Sequence, residues 1–176
     1  MSGHSHWSGI KHKKAITDAR RSKSFSKLLR AVSAAARDEA DPSFNPRLRT
    51  AIVKAREAQV PAETVQRSIE RASAEAGDLE ELTFEAYGPG GVALIVEATT
   101  DNRNRAIAEV KSALSKNAGK LAEPGSVLWG FDKAEDGTWE ARFPQEIERE
   151  QAESLGMLVD ALESLEDVQE VVTSAS

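Results

Sequence analysis

The chain has 176 residues, enough for one or two domains with a sizeable core, and its 40% hydrophobic and 30% charged content is that of a globular protein. It has no apolar run near the ~18 residues needed to span a membrane and no secretory h-region. It also has no cysteine, which excludes disulfides, thiolate metal sites and cysteine catalysis. The net charge of −6 is unevenly spread: residues 1–76 carry 15 Lys and Arg against 8 Asp and Glu, whereas residues 77–176 carry 8 against 21. Such a dipolar chain meets a polyanion with its basic half first. A monomer in a reducing cytoplasm is expected, with no presequence.

The head, Gly3 to Arg37, concentrates the basic charge: nine Lys and Arg against the single acid Asp18. It also holds all three histidines and Trp7. Gly3 to Gly9 has no period and reads as an irregular arm. Further on, Phe25, Leu28, Leu29, Val32 and Ala36 recur at helical spacing and form one apolar stripe. At about 100° per residue, Lys23, Lys27, Arg30 and Arg37 fall roughly opposite that stripe. One face can pack on a core while the other presents cations. The expected nucleic-acid ligands are therefore His4, His6, Trp7, Lys11, His12, Lys13, Lys14, Arg20, Arg21, Lys23, Lys27 and Arg30. Trp7 and the imidazoles would stack on exposed bases; the plainer reading is a solvated basic helix with Trp7 tucked onto the domain.

Two more helices follow. Asn45-Pro46 is an N-cap and N1 pair, and Leu48, Ala51, Ile52 and Ala55 form the buried stripe of a helix that Val60-Pro61 breaks. A third helix from about Pro61 turns Val65, Ile69 and Ala72 inward. Short connections favour a three-helix bundle. The acidic stretch Gly77 to Glu81 marks a domain boundary, so a basic helical domain of residues 1–76 precedes an acidic domain of residues 77–176.

In the second domain Thr83 to Tyr87 and Val92 to Ala98 read as strands around the turn Gly88 to Gly91. Thr100 or Asp101 caps a helix carrying Ile107, Val110 and Leu114, which Gly119 ends. Ser126 to Phe131 and Thr138 to Phe143 read as strands around Asp136-Gly137, with Trp129, Phe131 and Trp139 buried. Leu155, Leu158, Val159, Leu162 and Leu165 mark a helix, and Val168 to Val172 a last strand. The fold class is α+β. It combines a three-helix domain with a ferredoxin-like split βαβ domain bearing one extra N-terminal strand.

No constellation supports catalysis, so the protein is not expected to be an enzyme. His4, His6 and His12 have a spacing that can hold zinc or copper, but no cysteine helps and the arm is not rigid; no metal or cofactor is expected. Gly88 to Ala93 fits G-x-G-x-x-A as text, yet a strand follows it, not a helix, so it is a hairpin turn. Asp101 to Arg105 is either a capped, salt-bridged first turn or a secondary contact through Arg103 and Arg105. Glu97 and Asp101 lack a nucleophile near them. The second domain has the topology of RNA-recognition modules without their signature aromatic strand.

GHSHWSGIKHKKAITDARRSKSFSKLLR resembles the opening of the YebC family, which includes the mitochondrial translational activator of cytochrome oxidase. NPRLRTAIVKA at 45–55, YGPGG at 87–91 and TDNRNR at 100–105 resemble it too, in the same order, and LVDALESLEDVQEV resembles its end. The resemblance implies a translation factor acting on ribosomal RNA near the peptidyl-transferase centre and relieving stalling at proline-rich sequences. It also implies the alternative of a DNA-binding transcriptional regulator. Family members usually carry a third lobe within the second domain. Here only Lys133 to Gly137 joins Phe131 to Trp139, so that lobe is read as absent near 132–138.

Overall fold

The structure, a computed structural model, describes Trp7, residues 18–74 and residues 79–176, with side chains at Trp7, 24–73 and 79–176. Among the described residues, Trp7 has helical backbone and three helices follow: α1 (Asp18–Ala36), α2 (Pro46–Glu57) and α3 (Ala62–Ala74). Their apolar stripes meet in one core of Val32, Ala36, Leu48, Ala55, Val65 and Ile69, which Phe25, Leu28 and Leu29 flank. The join between α1 and α2 rests on Asn45, which is buried. Its side-chain oxygen accepts the Leu48 N–H at 3.0 Å as the N-cap, and its amide donates to the carbonyls of Ala35 at 2.8 Å and Glu39 at 2.7 Å. One side chain thus satisfies a donor at the start of α2 and an acceptor at the end of α1. Past α2 the chain turns through Gln59 at φ 63°, and Pro61 stands at the start of α3, its carbonyl accepting the N–H of Val65 at 3.1 Å.

The remaining elements are β1 (Glu80–Tyr87), β2 (Ala93–Thr100), α4 (Arg103–Lys116), β3 (Lys120–Leu121), β4 (Phe131–Lys133), β5 (Trp139–Ala141), α5 (Arg149–Glu163) and β6 (Val168–Thr173). The main sheet has the order β3-β1-β2-β6 with antiparallel neighbours, and β1 pairs with β2 from Glu80↔Thr100 to Tyr87↔Ala93. Gly90 at φ 74° and Gly91 at φ 72° make the intervening turn, as expected of the glycine run. Both faces of β2 are covered, which explains its apolar run Leu94-Ile95-Val96. Leu94, Val96 and Ala98 meet Val110 and Leu114 of α4 and Leu155, Leu158 and Leu162 of α5. On the opposite face Ile95 packs with Val127, Phe131 and Trp139.

The α+β class stands, with three corrections of detail. The two strands expected between α4 and α5 leave the main sheet and pair only with each other, as β4 and β5, and β1 takes the place beside β2. Ser126 to Phe131 is not a strand: Leu128–Gly130 is a 3-10 turn, and Trp129 and Phe143 stand 64% and 62% exposed. The cause is Glu85, a buried residue of β1 whose carboxylate accepts the N–H groups of Gly125, Val127 and Leu128. Those donors are drawn to one carboxylate instead of a neighbouring strand, and the chain bends. Third, α4 is capped by Asn102, whose side chain accepts the Arg105 N–H at 3.1 Å, because Thr100 still belongs to β2.

Candidate nucleic-acid interface

The cationic side of α1 is expected to face outward. Among the described residues it lies instead on the α/β unit. Lys27 donates to the carbonyl of Glu163 at the end of α5, where the helix dipole favours a cation. One turn further on, Arg30 meets Asp167 at 2.7 Å and Glu166 at 3.3 Å. Arg37 donates to the carbonyl of Leu79. The expectation of a solvent-facing Lys27 and Arg30 is corrected on this point. The physical reason is the charge split itself: the acidic half of the chain offers carboxylates and helix-end carbonyls to the same cations.

Asp167 is the centre of this junction. It is 2% exposed, at the entrance to β6. Besides Arg30 it receives Arg105 Nη2 at 2.9 Å and the Thr100 hydroxyl at 2.8 Å. Burial alone pushes its carboxyl up, but the hydrogen bonds from Arg105 and Thr100 and the charges of Arg105 and Arg30 outweigh this and hold it below the ordinary carboxylate value. Arg105 in turn is driven further up by Asp167 and by Asp101 at 2.7 Å. The stretch Thr100 to Arg105 thus builds a cage around one buried acid, and Arg103 pairs with Glu80 of β1. Of the two readings of this segment, the salt-bridged first turn matches these contacts.

Two cations of α2 repeat the pattern of α1. Arg47 meets Glu81 at 2.6 Å and Lys54 meets Glu170 at 3.4 Å. Thr50 lies 3.3 Å from Asp136, whose carboxyl is held low chiefly by the hydroxyl and N–H of Thr138. Glu97 has a structural role of its own: it accepts the Trp139 indole N–H at 2.9 Å and pairs with Lys133 at 3.1 Å. It tethers β5 to the main sheet and does not form an acid–base pair with Asp101.

His4, His6, Lys11, His12, Lys13 and Lys14 lie outside the described residues. Arg20, Arg21 and Lys23 belong to the backbone of α1, with side chains outside the description. Trp7 is 8% exposed and sits in the core that α4 and α5 make with the sheet. In that position its ring is covered by protein, as in the plainer of the two sequence readings. Sequence reasoning overlooked Asp167 and Glu85. Each is an acid on an otherwise apolar strand or strand entrance, a signal that marks a buried, fully partnered carboxylate.

The comparisons agree with this architecture. Residues 5–75 match the TACO1/YebC protein N-terminal domain, and residues 79–136 match the TACO1/YebC second and third domain. A probable transcriptional regulatory protein of Acidobacterium capsulatum is 53% identical over 135 residues, 76% of this chain and 55% of its own length. One from Desulfosudis oleivorans is 44% identical over 177 residues, 97% of this chain and 68% of its own. The crystal structure of a conserved hypothetical protein, Aq1575 from Aquifex aeolicus, superposes with a TM-score of 0.80 at 33% identity, covering 98% of this chain and 97% of that one. The chain belongs to the TACO1/YebC family. It spans about half the length of the first of these relatives. The match to the second and third domain ends at residue 136, in the turn between β4 and β5.

Proposed function

We propose that this protein is a non-enzymatic regulator of gene expression that binds nucleic acid through its basic head. Its target is ribosomal RNA near the peptidyl-transferase centre, and its effect is relief of stalled translation. The observation that carries the reading is the charge split: nine Lys and Arg against one acid in Gly3 to Arg37, on a chain of net charge −6. A positive head on an acidic body suits a polyanionic partner and keeps the body away from it. The head has no Asn or Gln to read base edges, which favours RNA shape over a DNA sequence. The names of the relatives support a second reading, a DNA-binding transcriptional regulator.

The test is binding of a fluorescent RNA hairpin and of duplex DNA of equal length, at matched salt, followed by co-sedimentation with ribosomal subunits. If Lys11, Lys13, Lys14, Arg20, Arg21 and Lys23 meet phosphates, log K should fall with log salt at a slope of about −4 to −5. Lys13→Glu with Lys14→Glu should flatten that slope and abolish co-sedimentation. Tighter, sequence-selective binding of the duplex would transfer the function to transcription. Failure to bind either would end the nucleic-acid reading.

A further inference from the structure

We infer that the acidic face of the α/β unit occupies, in cis, cations of α1 and α2 that bind phosphates when the two units swing apart. The inference rests on the nucleic-acid reading above and adds its regulation: the same Arg and Lys serve either the closed junction or the polyanion.

The argument begins with what holds the units together. The helical core and the α/β cores are separate clusters, and Trp7 belongs to an α/β one. The described ion pairs across the junction all have one polarity. Arg30, Arg47 and Lys54 supply the cations from the helical unit, and their partners Asp167, Glu81 and Glu170 come from the α/β unit. A carboxylate presents two oxygens to a guanidinium much as a phosphate does. The α/β unit is therefore shaped, at this edge, as a stand-in for the polyanion. A cleft of about 210 Å³ runs along it, lined among others by Lys27, Lys54, Glu97 and Glu170.

Opening gives up the Arg30 contact to Asp167 but leaves no buried charge at the junction unpaired. The pairs made by Arg47 and Lys54 are 36–48% exposed, so water and salt weaken them. Asp167 is buried, and leaving it without a partner would oppose opening. It keeps Arg105 and Thr100 when Arg30 departs, because both come from the α/β unit. The one buried acid at the junction is thus satisfied in both states, while Arg30, 23% exposed when closed, gains solvent or phosphate. A polyanion that engages the basic head then competes for α1 and α2 and shifts the population toward the open form.

The chain lacks cysteine, so Ser73→Cys in α3 and Ser112→Cys in α4, both at exposed positions, give a dye pair that reports the separation of the units. Adding a short RNA hairpin at low salt should lower the transfer efficiency, and raising salt without RNA should lower it too. The triple variant Glu81→Gln, Glu166→Gln, Glu170→Gln removes carboxylates from the junction and leaves Asp167 intact. It should be more open and bind the hairpin roughly three- to thirtyfold tighter, as the loss of a few weak competing pairs allows. A control triple, Glu140→Gln, Glu146→Gln, Glu150→Gln, changes the net charge equally at exposed sites away from these pairs and should gain far less. RNA binding with unchanged transfer, or equal gains in the two triples, would overturn the competition and leave the nucleic-acid reading standing. No RNA binding by wild type or variant would overturn both.

Discussion

Asp167→Asn is the substitution that probes the junction most directly, because shape is nearly conserved and only charge and hydrogen-bond polarity change. The carboxylate accepts Arg30 at 2.7 Å, Arg105 at 2.9 Å and Thr100 at 2.8 Å. An amide can turn its oxygen toward Thr100 and Arg105, and its NH₂ then faces the Arg30 guanidinium, donor against donor. The Arg30 contact is lost, at about 1.5–3 kcal/mol for a hydrogen bond to a charged group. The Arg105 contact loses its charge component, which solvent screens and Asp101 partly replaces. The expected total is about 1.5–3 kcal/mol, or roughly 3–12 °C in Tm for a chain of this size. Urea unfolding of variant and wild type at several pH values measures it. Because the Asp167 carboxyl is held below its ordinary value, the folded chain takes up that proton less readily than the unfolded chain. Its stabilisation is complete above the carboxylate range near about 4 and is lost as pH falls below it. The gap between wild type and variant should therefore close in acid. A variant within about 0.5 kcal/mol of wild type at neutral pH, or a gap that does not change with pH, would refute the account of a buried, doubly paired acid.

Glu85→Gln should destabilise by about 2–4 kcal/mol, since one amide oxygen cannot take the N–H groups of Gly125, Val127 and Leu128 together; hydrogen exchange should show protection lost at those three amides, and unchanged protection would contradict the bend mechanism. Burial pushes the Glu85 carboxyl up and the three N–H groups pull it further down, so this contribution too should fade as pH falls below the carboxylate range. Trp7→Ala should cost about 3–5 kcal/mol of stability, as truncation of a large ring in a core does. Weaker RNA binding with unchanged melting would instead mean that the ring stacks on bases.

Much of the local architecture was legible in the chain alone, because it depends on short-range chemistry. The stripes of the three helices, the Asn45-Pro46 start, the glycine turn and the apolar run of β2 follow from residues a few positions apart, whose spacing and backbone preferences act wherever the segment lies. The charge split was equally plain, since it needs only counting. What only the tertiary structure decided is where each charge is used. Lys27 and Arg30 lie opposite the apolar stripe of α1, and periodicity alone assigns that face to solvent. Their partners Glu163 and Asp167 are 136 and 137 residues away, a separation on which a helical period carries no information. Glu85 reads as an ordinary alternating strand residue, yet three backbone donors 40 to 43 positions on converge upon it and expel Trp129 from the expected strand. Local spacing sets which face of an element is apolar. Burial of a charge depends on a partner brought from elsewhere in the chain, and only the folded arrangement supplies it.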